Sequence, residues 1–311
     1  MARNYKKRKF PLASIIIPNW NGKHFLKDCL SSLLKQDYPK LEIILVDNNS
    51  SDGSVEYVRE NFPSVRIVKN DKNLGVAGGI NSGIRIAKGE YLIALNNDMT
   101  FRKDCVSELV KAAESDKKIG IVGGMWLQAN KPKVIQNITG ASSPKVLPEI
   151  SFSKLTRVMG NFTEQHPEED RGQYTELIEV DGTVGLIKRE VIEKIGLYDE
   201  KFFFTYEDTD FSYRAKEAGY RVVINPNAKI WHVWGGSMNL ATVFYTYHSY
   251  SGKLRFGLKH FKGFKKAAFI ASSIIQLPFL CMRFILIGKP NLIVHLFGAY
   301  WWNVINFKDY L

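Results

Sequence analysis

The sequence predicts an α/β fold in which helices flank a mostly parallel β-sheet. Over residues 12–95, short apolar runs of strand length alternate with helical patterns, and this order builds βαβ units with parallel strands. Polar residues follow each run, as expected where a ligand binds at the carboxyl ends of the strands. The chain has 311 residues and is 45% apolar, which suffices for one large core or two domains.

The order of elements follows from the periodicity of the apolar residues. Strands are predicted at 12–18, 41–46, 65–68 and 91–95, and helices at 24–35, 55–61 and 75–88. Further along, a strand is predicted at 180–188, helices at 189–195 and 208–219, and short apolar runs at 222–224 and 228–231. Residues 128–177 are the least periodic, and we expect them to form loops over the cleft, as a lid or a wall of the site.

Asp47 ends the second predicted strand, so its carboxylate points to the mouth of the cleft. There it can accept the imide N–H of a uracil or thymine ring. It can equally cap the helix that begins near Gly53. The sequence alone leaves both interpretations open.

Residues 73–83 form a glycine-rich helix start. Small residues at 75, 77, 78 and 79 let backbone amides approach an anion at a helix N-terminus. Asn73 and Asn81 can hydrogen-bond a ribose or a diphosphate. The alternative is tight packing of the helix on the sheet, because the segment matches neither common phosphate-loop motif.

Two groups of residues suit metal and acid–base chemistry. Asn96 and Asp98 follow the fourth strand and share a face, and of the two the carboxylate of Asp98 is the better ligand for a hard cation. Glu207, Asp208 and Asp210 begin a later helix. Acidic residues in a first helical turn are also favoured by the helix dipole, and a lone His232 is often structural, so only the joint pattern points to a site.

The formal charge of +12 is concentrated at the two ends of the chain. Five Lys or Arg lie among the first nine residues, and nine lie in 243–311 against one acid, so the residues between are nearly neutral. The C-terminal flank is also aromatic and aliphatic, which favours a membrane surface over nucleic acid. Its uncharged stretches, 267–282 (interrupted by Pro278) and 290–307, suit an interfacial anchor or re-entrant hairpin, or else a buried helical cap on the core.

The cysteines and the N-terminus indicate the compartment. Cys29, Cys105 and Cys281 are odd in number and lack metal-site spacing, which favours a reducing environment. The basic N-terminus is not followed by an apolar stretch, so it is not a secretory signal. We therefore expect a protein at the cytoplasmic face of the cell membrane, peripheral or monotopic.

Seven ordered blocks resemble the family 2 glycosyltransferases, in particular a rhamnosyltransferase-like branch. The blocks run from about residue 13 to 240: 17–21, 46–53, 73–83, 95–98, 196–203, 207–220 and 232–237. The resemblance implies a GT-A fold with a Rossmann-like nucleotide-binding half at 12–127 and an acceptor half at 128–242, between a basic tail at 1–11 and a helical, membrane-associating region at 243–311. It also implies a nucleoside-diphosphate sugar donor, Mg²⁺ or Mn²⁺, and inversion at the anomeric carbon.

The resemblance also implies roles for individual residues. Asp208 resembles the general base, Asp47 the base-reading aspartate, and Asp98 the last residue of the metal motif, with His232 beside the metal and diphosphate. Asn96 stands where some members have aspartate, which leaves the metal site with less charge. Glu207, Asp210 and Arg214 would support the acceptor side or cap the helix. The donor would contact Pro18, Asn19, Asn21, Asp47, Asn49, Asn73, Gly75, Gly78, Asn81 and Asn97.

The sequence thus predicts an inverting glycosyltransferase that uses a UDP- or dTDP-sugar and a hydroxyl of a lipid-linked or cell-surface glycan. One alternative is transfer directly onto polyprenyl phosphate, which is already an anion and needs no base. The other is a catalytically silent nucleotide-sugar-binding scaffold at the membrane. Nucleic acid is not an expected partner, because the basic residues flank the body rather than line its cleft.

Overall fold

A computed structural model of the chain describes residues 10–129, 131–137, 175–176, 185–233 and 242–310. Nearly all of the predicted basic tail and most of the predicted lid at 128–177 lie outside the described residues. The described parts of 128–177 include two strands, at Lys131–Asn137 and Thr175–Glu176, where loops were expected. The described part forms one curled sheet flanked by helices, followed by a group of C-terminal helices.

The sheet contains ten described strands. They are β1 (Ala13–Asn19), β2 (Leu41–Asp47), β3 (Arg66–Lys69), β4 (Tyr91–Ala94), β5 (Met99–Phe101), β6 (Ile119–Gln128), β7 (Lys131–Asn137), β8 (Thr175–Glu176), β9 (Gly185–Lys188) and β10 (Arg221–His232). Their order is β3-β2-β1-β4-β9-β6-β10-β5, with β7 on β6 and β8 on β10.

The sheet is mixed, but its parallel strands share one direction. β3, β2, β1 and β4 are mutually parallel, and β10 is parallel to β6. β9 runs antiparallel between β4 and β6, so the strands on its two sides point the same way. The carboxyl ends of β1, β2, β4 and β10 therefore meet at one edge, as the predicted mostly parallel sheet requires.

Nine α-helices lie in the described residues. They are α1 (Lys23–Leu34), α2 (Ser54–Asn61), α3 (Gly75–Ile86), α4 (Cys105–Ser115), α5 (Arg189–Ile195), α6 (Glu207–Glu217), α7 (Val243–His260), α8 (Gly263–Leu286) and α9 (Leu292–Ile305), before a 3₁₀ turn at Phe307–Tyr310.

Alternating side chains of the strands form a core on each face of the sheet. Ile15 and Ile17 point to the face covered by α1 and α4, where they join Leu26 and Leu30. Ile16, between them, points to the other face, where α3, α5 and α6 cover it. This alternation is the period of two expected for a strand buried on both sides.

In two places the structure has one continuous element where the sequence predicted separate or interrupted ones. The runs at 222–224 and 228–231 are one strand, β10, whose register on β6 shifts between Asn225 and Lys229. The uncharged stretch 267–282 belongs to a continuous helix, α8, that runs through Pro278. The expected interruption at Pro278 is wrong, and α8 is long and apolar enough to cross a membrane by length and composition.

Candidate active site

The ends of neighbouring strands are tied together by polar side chains. Asn19 of β1 is the register partner of Asp47 of β2. Asn97, beyond the end of β4, donates its Nδ2 to Asn19 Oδ1 at 2.7 Å. Predicted donor-site residues from three strands therefore lie side by side along one edge of the sheet.

Asp47 is fully buried and has one carboxylate oxygen left for a ligand. Its Oδ2 accepts the amide N–H of Ser50 at 3.1 Å, while Oδ1 has no hydrogen-bond partner among the described residues. The alternative interpretation of Asp47 as a cap of α2 is wrong, because the first amide of that helix, at Ser54, donates to Asp52 at 3.0 Å. A buried acceptor without a partner is costly, so this oxygen is suited to receiving a donor from a ligand.

The other predicted donor-site residues differ in their exposure and in the contacts that they make within the protein. Asn21 and Asn49 are exposed with positive φ of 52° and 63°, and Asn21 Oδ1 accepts from Ser51 N at 2.8 Å. Pro18 lines the contact with α3, because a side chain at Gly79 would meet its Cβ at 3.1 Å. The roles of these residues towards a ligand stay predictions.

The glycine-rich start of α3 packs closely against the chain before α6. Gly75 has φ +71°, and a Cβ there would lie 2.2 Å from the carbonyl oxygen of Phe203. Its amide donates to Asn73 Oδ1 at 2.9 Å, and the next amide, of Val76, donates to Phe203 O at 2.8 Å. The first two amides of α3 are therefore not available to the anion that was expected to bind here. Gly75 instead serves the close packing of the helix, which was the alternative interpretation.

Asn81 is also occupied within the fold. Its side chain donates to Tyr198 O and to Glu200 Oε1, both at 2.9 Å, and accepts from Tyr198 N at 3.0 Å. It thereby fixes α3 to the segment that follows α5. Contact with a nucleotide sugar stays a prediction for this residue.

Asp98 and His232 meet at the same edge as the strand ends. The two residues are brought together because β5 pairs antiparallel with the end of β10, with His232 opposite Met99. His232 Nε2 lies 3.4 Å from Asp98 Oδ2, and Val233 N donates to Asp98 O at 3.0 Å. Both side chains are largely buried, and the indole of Trp126 packs on the imidazole at 5.4 Å. Asn96, half-buried, lies two residues before Asp98 in the chain.

A divalent cation fits this pair only with help from a ligand. The described residues contain no group of three His, Cys, Asp or Glu that could hold an ion. One carboxylate is nevertheless enough of a protein contribution for Mg²⁺, which usually completes its coordination with substrate phosphates and water.

The start of α6 is strained and acidic. Thr205 and Tyr206 have φ of 64° and 68°, both in the left-handed region that residues other than glycine seldom adopt. Glu207 and Asp208 follow as buried residues of the first turn, where the helix dipole favours carboxylates. Asp208 Oδ1 accepts from Thr209 N at 2.7 Å. Such strain occurs where the fold must hold a side chain in one orientation.

The carboxylate of Asp210 is buried in a cluster of charges. Arg214 Nε, Lys259 Nζ and His260 Nε2 all approach its carboxylate, at 2.8, 2.7 and 2.7 Å. Burial alone would raise the pKa of Asp210, but the His260 hydrogen bond and the two cations outweigh it and hold the pKa well below its usual range. These contacts of Lys259 and His260 were not predicted from the sequence, where residues 243–311 were expected to form a membrane-associating region.

The curled sheet and the carboxylates along its edge define the class of GT-A glycosyltransferases. The model of glycosyl transferase family 2 matches residues 14–196, more than half of the chain, so the chain belongs to this family. The matched stretch ends before α6.

Curated relatives agree with this family. The chain is 28% identical over 232 residues to the probable glycosyltransferase YdaM of Bacillus subtilis, covering 72% of the chain and 51% of the relative. It is 24% identical to the poly-beta-1,6-N-acetyl-D-glucosamine synthase of Staphylococcus epidermidis, covering 70% and 49%. The match thus takes in about half the length of these relatives.

Solved structures share the fold. The mannosyltransferase PcManGT from Pyrobaculum calidifontis, in complex with GDP-Man and Mn²⁺, superposes with a TM-score of 0.58 at 17% identity, over 95% of this chain and 88% of that one. S. aureus TarS 1-349 in complex with UDP gives 0.54 at 16% identity, over 88% and 72%. Both support the GT-A fold of this chain.

Proposed function

We propose that the protein is an inverting glycosyltransferase that moves a sugar from a UDP- or dTDP-linked donor to a hydroxyl of a lipid-linked or cell-surface glycan. One observation carries the proposal. Asn48, next to Asp47, donates to Gly75 O at 2.9 Å, and Val76 N donates to Phe203 O at 2.8 Å. These bonds tie the end of β2, the start of α3 and the segment before α6 together, which supports a site shared by Asp47 and Asp208.

Two carboxylates have separate roles in the proposed mechanism. Asp208 takes the proton from the acceptor hydroxyl while that oxygen attacks the anomeric carbon from the face opposite the diphosphate. One displacement inverts the centre, and no covalent intermediate forms. Asp47 Oδ1 accepts the imide N–H of the donor's base, which the absence of a partner for this atom among the described residues supports.

Asp98 and His232, with a weaker contribution from Asn96, are the residues that would hold a divalent cation. A bound Mg²⁺ or Mn²⁺ supplies positive charge that stabilises the leaving diphosphate. The complex of PcManGT with GDP-Man and Mn²⁺ supports a cation of this kind, and that of TarS with UDP supports a nucleotide ligand.

The acceptor and the location are proposed from the relatives and from the C-terminal helices. A glycan acceptor is supported by the likeness to a poly-beta-1,6-N-acetyl-D-glucosamine synthase. Association with the cytoplasmic face of the membrane is supported by α8, whose apolar side chains are mostly exposed.

The test compares Asp208→Asn with Asp28→Asn, the same substitution at an exposed position of α1. A panel of UDP-, dTDP- and GDP-sugars with Mn²⁺ first identifies the donor by thermal stabilisation, because ligand at 100 times its dissociation constant adds about 2.7 kcal/mol. We expect Asp208→Asn to lower the transfer rate about 10²–10⁴-fold, roughly 3–5 kcal/mol of barrier, with donor binding unchanged. Asp28→Asn should keep the wild-type rate.

Other results would identify the alternatives. Near-normal transfer by folded Asp208→Asn would refute a base at this position and favour an acceptor that is already anionic, such as polyprenyl phosphate. Failure of the wild-type protein to release nucleoside diphosphate from any donor, with Mn²⁺ or without it, would favour a silent nucleotide-sugar-binding scaffold.

A further inference from the structure

A buried cluster of charges joins α6, which carries the proposed base, to α7. Asp210 is completely buried, and two of its three partners come from the last turn of α7. Lys259 also binds a second carboxylate, with its Nζ 2.8 Å from Asp199 Oδ2. Arg255, one turn earlier on α7, lies 3.1 Å from the same oxygen. Three side chains of α7 thus hold two carboxylates of the acceptor half.

The cluster fixes the rotation of the first turn of α6. Residues two apart on an α-helix point about 200° apart, so when Asp210 faces α7 the side chain of Asp208 faces the opposite way. The third partner of Asp210, Arg214, lies one turn along α6 and donates to the carbonyl oxygens of Ile195 and Leu197, at 2.7 and 2.9 Å. The same carboxylate is therefore anchored both to α7 and to the end of α5.

α7 also supports the strained turn that precedes Asp208. A Cβ at Gly252 would lie 3.0 Å from Thr205 O and 3.1 Å from the Tyr206 ring, so the helix backbone packs directly on both left-handed residues. Contact with α7 at this turn and at Asp210 leaves the three residues between them, Glu207, Asp208 and Thr209, no freedom to rotate independently.

We propose that Lys259 and His260 are positioning residues that hold the first turn of α6 so that the Asp208 carboxylate meets the acceptor hydroxyl. This inference rests on the proposed function, because it assumes that Asp208 is the base. It assigns to the end of α7 a role in the chemical step in addition to any contact with a membrane.

The test separates positioning from stability with paired variants. His260→Ala removes the hydrogen bond to Asp210, whereas in His260→Gln the side-chain amide Nε2 can still donate to it. Lys259→Met removes the bridging charge but keeps the apolar stem, and Lys117→Met makes the same change at an exposed site after α4. Kinetics are measured well below each variant's Tm, and binding of UDP, dTDP and GDP is measured with Mn²⁺.

We expect His260→Ala and Lys259→Met to lower kcat at least tenfold, with the donor KM and the nucleoside diphosphate Kd within twofold of wild type. His260→Gln should keep kcat within threefold, and Lys117→Met should match wild type. Hydrogen exchange should increase in residues 205–217 and stay unchanged in 41–61. Purely structural contacts would lower Tm without this division between kcat and KM.

Several results would overturn the inference. These are wild-type kcat in folded His260→Ala and Lys259→Met, a glutamine variant no better than the alanine variant, or nucleotide affinity that falls in parallel with kcat. If either of these two variants does not fold, the other, with His260→Gln, decides the matter. If Asp208→Asn is inactive while these variants are normal, only the positioning role fails; if Asp208→Asn is active, the proposed base itself fails.

Discussion

His248 is an imidazole held among aromatic rings of α7 and the loop before α6. The ring stacks on Phe203 at 4.9 Å and packs on Phe244 and Tyr247 at 4.4 and 5.1 Å. Burial lowers the pKa of His248 to about 4, because the charged form loses its hydration. The fold therefore requires the neutral imidazole.

This requirement predicts how stability changes with pH. In the unfolded chain the pKa of a histidine is about 6.5, so below that pH the unfolded state binds a proton that the folded state resists. We expect the contribution of His248 to be complete above pH 6.5 and to decline as the pH falls towards 4. Urea unfolding at several pH values should show a smaller decline for His248→Phe than for wild type. Equal declines would contradict the prediction.

At the scale of single residues, the sequence predicts those groups whose position depends on strand ends. Asp98 and His232 are 134 positions apart in the chain, yet both follow from the rule that carboxyl ends of strands pointing the same way share an edge. Lys259 and His260 follow from no such rule. Their contact with Asp210 depends on how α7 crosses α6, and the basic, aromatic pattern of residues 243–311 fits a solvent or membrane face equally well.

At the scale of elements, α7 and α8 cross where one glycine meets one phenylalanine. A Cβ at Gly257 would lie 2.1 Å from Phe269 Cε1 and 2.4 Å from its Cζ. Phe269 is buried and also packs edge-on against Phe261 at 5.3 Å. The close approach of the two helices therefore depends on the missing side chain of Gly257.

A substitution with a matched rescue tests this crossing. Gly257→Ala should lower the free energy of unfolding by about 1–3 kcal/mol, because the ring or the helix must move. Phe269→Leu should recover part of that loss in the Gly257→Ala background while destabilising the wild type. Gly298→Ala on α9, where the nearest atom would be Tyr247 Cε2 at 3.6 Å, should be neutral or stabilising. Additive effects of the first two changes would contradict direct contact.

Several elements were predicted from periodicity, and others were missed for identifiable reasons. α1 follows from the helical spacing of its leucines, and α2 follows from the Ser and Asp residues that precede it. β6 was missed because all ten of its residues are buried, so no alternation distinguishes it from the helix before it. The helix through Pro278 was missed because proline usually ends a helix, although its missing N–H costs one hydrogen bond and a kink rather than the whole element.

At the scale of the whole molecule, the C-terminal helices expose a large apolar surface. The term apolar face is used here for the exposed apolar side chains of α8 and α9. They are Phe264, Ile274, Ile275, Phe279, Met282, Ile285 and Leu286 of α8 and Val294, Phe297, Trp301, Val304 and Ile305 of α9. Soluble proteins seldom expose so many contiguous apolar groups. Three of the nine basic side chains of residues 243–311 lie on α8 itself, namely Lys265, Lys266 and Arg283. The alternative of a buried helical cap concerned 267–282 and 290–307, and it does not describe α8 and α9, because many of their apolar side chains are exposed.

Binding to lipid vesicles tests the apolar face. Basic side chains beside it should favour anionic headgroups by about 1 kcal/mol each, so we expect wild-type protein to sediment with phosphatidylglycerol-containing vesicles more than with pure phosphatidylcholine, and less so at high salt. Phe279→Glu and Trp301→Glu, at side chains exposed by 72% and 65%, should each weaken binding at least tenfold, because burying such a group contributes about 1.5–3 kcal/mol. Leu34→Glu, at an exposed apolar residue ending α1, should bind as wild type does. Equal binding by all variants would contradict a role of the apolar face in membrane binding. If wild-type protein instead stays in the supernatant and elutes as an oligomer that Phe279→Glu dissociates, that result would assign the apolar face to contacts between protein copies.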